Sequence, residues 1–340
     1  MIGQTQSRTM IAACFALMLA ACGQGQQQAP AGTTSEQIAV DGSSTVFPLA
    51  EAAAEAFTNS ATGAARVTVG ESGTGGGFGK FCRGEIQISN ASRPISADEM
   101  AACARANIQF VEIPIAFDGI SVVVHPSNPL TNITLAELKR AWEPAAQGRI
   151  THWRQVNPRG PDVALQLFGP GTASGTFDYF NEAVSGDGGA SRTDYTPSED
   201  DNVVVQGVAG NPGAMGYFGY AYYEANRARV KALSVNGVAP SPETIASGAY
   251  PLSRPMFIYV SAEALRRPQV RRFVTYFVQN AASLAPRVGY VALPAEAYSA
   301  YAERVVNNQT GTAFGGHNEV GLSISELLAR PLNAESAPAQ

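Results

Sequence analysis

Three segments place small hydroxyl residues and glycine where a strand gives way to a helix: Asp41-Gly-Ser-Ser-Thr-Val-Phe-Pro48, Gly70-Glu-Ser-Gly-Thr-Gly-Gly-Gly-Phe78 and Gly169-Pro-Gly-Thr-Ala-Ser-Gly-Thr-Phe177. A helix start leaves N–H groups without intrahelical acceptors and carries the positive end of the helix dipole, so it attracts an anion. Ser and Thr hydroxyls add donors, and glycine lets the backbone come close. Ser and Thr also cap helices with no ligand involved, so one such segment says little. Three of one design point to a small oxyanion held between helix starts.

Other chemistries lack their residues. A Walker pattern would need glycine where Thr74 stands, and Lys80 is followed by Phe81. A GxGxxG turn fails at Phe78 and Lys80, and no GxSxG elbow occurs. No Ser or Cys has an evident His partner by motif, so a hydrolase would rest on scattered carboxylates, and the chain does not read as an enzyme. His125, His152 and His317 show no metal spacing with the cysteines or with each other, so neither metal nor cofactor is expected. A formal net charge of −5 and 15% charged residues give the chain no excess of positive charge to hold nucleic acid.

The elements that must position these segments read as α/β. QIAVDG, VFPLAEAAAEAF, RVTVGES, FGKFC and EIQISNAS alternate strand-like with helical character. Ser96-Ala-Asp-Glu99 and Thr134-Leu-Ala-Glu137 are capping boxes that open helices. Extended segments at 114–126 and 251–261 read as two crossings between lobes, which predicts lobe one over 37–120 with 256–328, lobe two over 121–255, and a frayed tail over 329–340.

The N-terminus predicts export. Arg8 precedes an apolar run, Met10 to Ala20, of signal-peptide length and too short to span a bilayer. Leu19-Ala20-Ala21-Cys22 resembles a bacterial lipobox, which makes 1–21 a lipoprotein signal peptide and Cys22 the lipidated mature N-terminus. The Gln/Gly/Pro-rich stretch over 22–36 then reads as a flexible tether. Cys82 and Cys103 are left in an oxidising compartment, where one disulfide is the economical expectation.

Gly42-Ser-Ser-Thr-Val-Phe-Pro-Leu49, Ser72-Gly-Thr-Gly-Gly-Gly-Phe78, Ile88-Ser-Asn-Ala-Ser-Arg-Pro94, Ser174-Gly-Thr-Phe-Asp-Tyr-Phe180, Asp200-Asp-Asn-Val-Val-Val-Gln-Gly207 and Gly213-Ala-Met-Gly-Tyr217 resemble the phosphate-binding PstS family, most of all its SphX-like branch. The similarity runs in order along nearly the whole mature chain. It implies a two-lobed class II periplasmic binding protein fold with two interlobe crossings, closing on one dehydrated phosphate and passing it to an ABC permease.

Carried over, the resemblance offers Ser44, Thr45 and the backbone of Val46 and Phe47 from the first loop, Ser72 and Thr74 from the second, and Ser174, Gly175 N–H and Thr176 from the third. The sequence departs from the family twice: Pro170 stands where an Arg precedes Ser-Gly-Thr, and Ser92 stands where the family has an Asp. Arg93 is the expected replacement cation, and Glu71 or Asp178 the replacement carboxylate, with Asp178 preferred. The reading is a periplasmic, membrane-anchored, monomeric phosphate carrier. Sulfate, phosphonate or arsenate binding on the same fold, a secreted phosphate-scavenging hydrolase, and an anchored scaffold stay open as alternatives. Arg266, Arg267, Arg271 and Arg272 form a basic face that suits a permease, lipid headgroups or plain solvent.

Overall fold

The computed structural model describes residues 37–60, 65–186 and 190–332. The signal peptide, the tether, Cys22 and the last eight residues of the expected tail lie outside the described residues.

Strands β1 (Gln37–Gly42), β2 (Arg66–Val69), β3 (Ile88–Ala91), β4 (Phe110–Val124), β5 (Asn132–Ile133), β6 (Gln166–Pro170), β7 (Thr196–Ser198), β8 (Ala214–Gly219), β9 (Lys231–Ala232), β10 (Ser234–Val235) and β11 (Ser253–Ser261) are joined mainly by helices. These are α1 (Phe47–Thr58), α2 (Gly73–Cys82), α3 (Ala97–Arg105), α4 (Leu135–Trp142), α5 (Trp153–Val156), α6 (Gly175–Ser185), α7 (Asp201–Gly210), α8 (Tyr220–Asn226), α9 (Pro242–Ala246), α10 (Pro268–Leu284), α11 (Ala295–Val306) and α12 (Ile324–Leu328). Among the described residues one nine-stranded sheet runs β2-β1-β3-β11-β4-β8-β6-β7, with β9 on β4, while β5 and β10 pair separately.

β1 pairs in parallel with β2 and β3, and β11 returns antiparallel between β3 and β4. β4 pairs with β11 over Phe110–Gly119 and with β8 over Ile120–Val124, so the chain passes from one half of the sheet to the other at Gly119–Ile120. Every residue of β4 is buried, and so is β11 up to its last residue. Continuous apolar runs suit strands covered on both faces.

Local chemistry sets the helix starts. Both capping boxes form: Ser96 accepts from the Glu99 N–H at the head of α3, and Thr134 from the Glu137 N–H at the head of α4. Pro48 sits in the first turn of α1, where its missing N–H costs nothing. The buried stripe of α1, Leu49, Ala50, Ala53, Ala54 and Phe57, packs on α10, with Phe57 edge-on to Phe273 at 5.3 Å between ring centroids. Cys82 at the end of α2 and Cys103 in α3 form a disulfide that pins the two helices together.

Candidate functional site

The carboxyl ends of parallel strands, where helices begin, are where α/β folds collect ligands. β1 ends at Gly42 and leads to α1, β3 ends at Ala91 and leads to Ser92, and β6 ends at Pro170 and leads through Ser174 to α6. Arg254 and Asp118 reach the same place from the crossing strands, as directly opposed residues in the β4–β11 register. Each is a charge in the middle of a buried strand, which requires a partner.

They partner each other and gather the loops. The Arg254 side chain is wholly buried, and its Nη2 lies 3.1 Å from Asp118 Oδ2, 3.0 Å from Thr45 Oγ1 and 3.0 Å from Thr176 Oγ1. The two threonine hydroxyls, one from each half of the sheet, are 3.0 Å apart. Asp118 Oδ1 accepts the Tyr220 N–H at 3.0 Å. Burial pushes the Asp118 carboxyl up, and the neighbouring Arg254 pulls part of that back. Arg254 Nε and Nη1 are buried with no hydrogen-bond partner in the protein, and so is Asp201 Oδ2 near the start of α7. Leaving a buried polar group unpaired costs about 1–3 kcal/mol, more when it is charged, so this cluster of donors and one acceptor is expensive unless it serves a ligand. Burial pushes the Asp201 carboxyl up to about 7, with Arg254 opposing and Asp118, Glu71 and Asp200 adding to the rise.

The second loop joins from the side. Thr74 Oγ1 accepts the Ser92 N–H at 3.2 Å and lies 3.3 Å from Ser92 Oγ, with both residues fully buried. A Cβ at Gly175 would fall 2.5 Å from Thr74 Oγ1 and 2.8 Å from Ser92 Oγ, so only glycine lets the head of α6 approach this pair. Gly73 has φ +75°, and its place against the Ala173 carbonyl likewise excludes a side chain. The Gly75 N–H donates to Ala173 O at 3.0 Å, a backbone bond between the two halves.

The expected residues divide accordingly. Thr45, Thr74, Ser92, Gly175 and Thr176 converge, and Ser44 and Ser174 are buried beside them in the same loops. Ser174 Oγ accepts the Thr176 N–H at 3.1 Å, which leaves its hydroxyl hydrogen free to donate. Val46 is buried and its carbonyl starts α1 by accepting from Leu49 and Ala50. The Phe47 N–H is spent on Ser43 O at 3.0 Å, because the turn closes one residue before the helix. The half-buried Ser72 gives its hydroxyl to Asp41 Oδ1 at 2.7 Å, and Lys80 holds the other oxygen of that carboxylate at 2.6 Å.

Arg93 and Asp178 need the larger correction. Arg93 Nε binds Asp178 Oδ2 at 2.7 Å, Nη1 binds Glu99 Oε2 at 2.8 Å and Nη2 binds Glu99 Oε1 at 2.9 Å, with Pro94 O taking a further Nη1 hydrogen at 3.1 Å. Burial works against the Arg93 charge, and Glu99 and Asp178 more than offset it, so the guanidinium is held more firmly protonated than usual. Burial pushes the Asp178 carboxyl up while Arg93 draws it back. Both residues line a polar cavity of about 510 Å³ with Ser96, Glu182 and His317, which neither Thr45, Thr176 nor Arg254 borders. Arg93 spends four of its five N–H donors on Glu99, Asp178 and Pro94 O, and Asp178 serves as its counter-ion across the two halves.

Arg254, Asp118 and Asp201 went unread as site residues. The signal for the first two was a charge within a mostly apolar strand, FDG in β4, which also carries Glu112, and SRP in β11. For Asp201 it was the second carboxylate of an Asp-Asp pair whose first member, Asp200, caps α7. Tyr222, also assigned no role, reaches from α8 to the first loop, donating to Ser44 O at 3.4 Å.

The chain matches the PBP superfamily domain over residues 27–281. It is 50% identical to the protein SphX of Synechococcus elongatus over 86% of this chain and 88% of that one. It is 34% identical to the phosphate-binding protein PstS of Staphylococcus saprophyticus over 83% of this chain and 88% of that one. The chain belongs to the SphX and PstS family of the PBP superfamily. A Clostridium perfringens protein described as a phosphate ABC transporter substrate-binding protein, solved with bound phosphate, shares 25% identity and a TM-score of 0.67, covering 76% of this chain and all of that one. The two halves of the sheet are therefore the two lobes of a periplasmic binding protein fold, as the PstS resemblance implied. The buried Arg254 of this SphX and PstS member lies on a crossing strand. Among the described residues no helix is long and apolar enough to cross a membrane, and no group of three His, Cys, Asp or Glu could hold a metal ion.

Proposed function

We propose that this chain binds inorganic phosphate in the cleft between its lobes and delivers it to an ABC permease, with no covalent chemistry. The observation that carries the reading is the Arg254 guanidinium, wholly buried and held by Thr45, Thr176 and Asp118, with Nε and Nη1 unpaired. Two buried N–H groups of one guanidinium left without acceptors are charge-assisted donors for the oxygens of an anion. Ser44, Thr45, Thr74, Ser92, Ser174 and Thr176 supply hydroxyls, and Gly175 supplies the first N–H of α6, which has no intrahelical acceptor. Asp201, with its unpaired buried oxygen, takes the hydrogen bond from the phosphate proton. Sulfate has no proton to give and meets an unpaired carboxylate instead.

The lobes then divide near Gly119–Ile120 on β4 and near the start of β11, close to the sequence-based boundaries at 120 and 256. The rest of the reading is a periplasmic monomer tethered through a lipid on Cys22. Calorimetric titration with phosphate, repeated in excess sulfate, tests the central claim: tight 1:1 binding indifferent to sulfate is expected, and displacement by sulfate would reassign the site to another oxyanion. Turnover of a chromogenic phosphate ester would reopen the hydrolase alternative. Absence of lipid label on Cys22 would remove the anchor.

A further inference from the structure

The basic face at the head of α10 has an environment that folding stability does not explain. Arg266, Arg271 and Arg272 are exposed and Arg267 is half-buried. No carboxylate among the described residues lies within salt-bridge distance of any of the four, and the first turn of α10 holds no acid. Cations at the positive end of a 17-residue helix repel its dipole. These cations are assembled in a chain whose net charge is −5. They line two adjoining grooves of about 470 and 530 Å³ that share Arg266 and Pro268, with Thr275, Tyr276 and Gln279 on the wall of the first.

The topology says which end of the molecule this is. β11 starts at the cleft with Arg254 and ends at Ser261, immediately before the 3-10 turn Ala264–Arg266, so about 25 Å of strand separates the site from the basic face. β1 runs the other way, from Gln37 to the cleft at Gly42. Arg267 Nη2 donates to Gln37 O at 3.3 Å, so the basic face reaches the first residue of β1. Arg66, exposed and opposite Gln37 on β2, brings a fifth positive charge to that end. A permease that receives the ligand must meet the cleft end, which this face is not.

We propose that this face is a docking surface for an anionic lipid bilayer, with phospholipid phosphates seated among Arg266, Arg267, Arg271 and Arg272. The inference takes from the preceding reading only that the segment before Gln37 leads to a membrane anchor, which brings this end of the fold to the bilayer surface. Docked this way, the cleft faces the aqueous phase, which is the orientation for capture, and hand-over requires the protein to roll off the lipid.

The test is co-sedimentation of residues 22–340 carrying Cys22→Ser, so that no lipid holds the chain, with vesicles of phosphatidylcholine alone and of phosphatidylcholine mixed with phosphatidylglycerol. Binding to the anionic vesicles only is expected, fading as salt screens it. At about fivefold per arginine near an anionic surface, Arg271→Glu with Arg272→Glu lowers the partition at least about twenty-fivefold. Both side chains are exposed, and an unchanged thermal unfolding curve shows that the variant is folded. Equal binding to both vesicle types, or an unchanged partition in the variant, overturns the proposal. If wild-type protein ignores both vesicles while the variant loses phosphate uptake in cells, the face belongs to a protein partner. The anchor reading is tested apart, by lipid labelling of Cys22, which the vesicle variant lacks.

Discussion

Arg93 and Arg254 are both buried arginines at the edge of the interlobe cleft, and they solve the burial of a charge in opposite ways. Arg93 is neutralised by Glu99 and Asp178, and its side chain retains 8% exposure. Arg254 has none, meets one carboxylate, shares a single nitrogen among three oxygens and leaves the other two nitrogens unpaired. A buried charge paired with two carboxylates and with one N–H to spare has little left to give a ligand, whereas one held in place with two nitrogens unsatisfied is arranged for one. Proximity to a family motif nominated Arg93, and hydrogen-bond accounting nominates Arg254.

The sharpest break of this contrast is Arg254→Lys, which keeps a charge and removes the two unpaired guanidinium donors. Losing a charge-assisted bond costs roughly 1.5–3 kcal/mol, so calorimetry should show phosphate affinity falling by about tenfold to a hundredfold. An unchanged affinity would return the role to Arg93.

Asp201→Asn probes the acceptor side: sulfate competition, weak in the parent, is expected to rise about tenfold or more, as loss of a buried charged partner implies. The same variant has a pH signature. Asp201 is raised from 3.8 to about 7, so between those values the folded, ligand-free protein holds a proton that the unfolded chain has lost. Its contribution to stability is complete below about pH 4 and is lost as pH rises through about 7. Denaturant titrations across that window should show a shallower decline for Asp201→Asn than for the parent.

Thr176→Val removes one neutral hydroxyl that bridges Arg254 and Thr45, worth about 1 kcal/mol, so a loss of affinity of about fivefold to tenfold is expected. The smallest effect on binding belongs to Arg93→Met. It lowers the unfolding temperature clearly, because Glu99 and Asp178 lose their shared cation, yet changes phosphate affinity by less than about tenfold. A hundredfold loss there would erase the distinction between the two arginines.

Much of the fold was legible because its signals are local. Capping boxes at Ser96 and Thr134, alternation of strand with helix, and apolar runs long enough for buried crossing strands all act within a few residues. The threonines and glycines of the three loops were legible for the same reason, since a helix start announces itself by its cap. The partners of the Phe47 N–H and the Ser72 hydroxyl, Ser43 O and Asp41, were not legible because they depend on the path of the backbone.

The sequence by itself determined the α/β architecture, the family, and a site made of hydroxyls and helix starts, because these follow from residue type and short-range spacing. Only the tertiary structure decided which charges serve that site. Arg254 meets Asp118 through the antiparallel register of two strands more than a hundred residues apart in the chain, and meets Thr45 and Thr176 because the lobes close on it. Arg93, one residue from the motif, is claimed by Glu99 from its own lobe and Asp178 from the other. Whether a buried cation is satisfied or available depends on which distant carboxylates the fold brings within hydrogen-bond reach, and no local pattern records that.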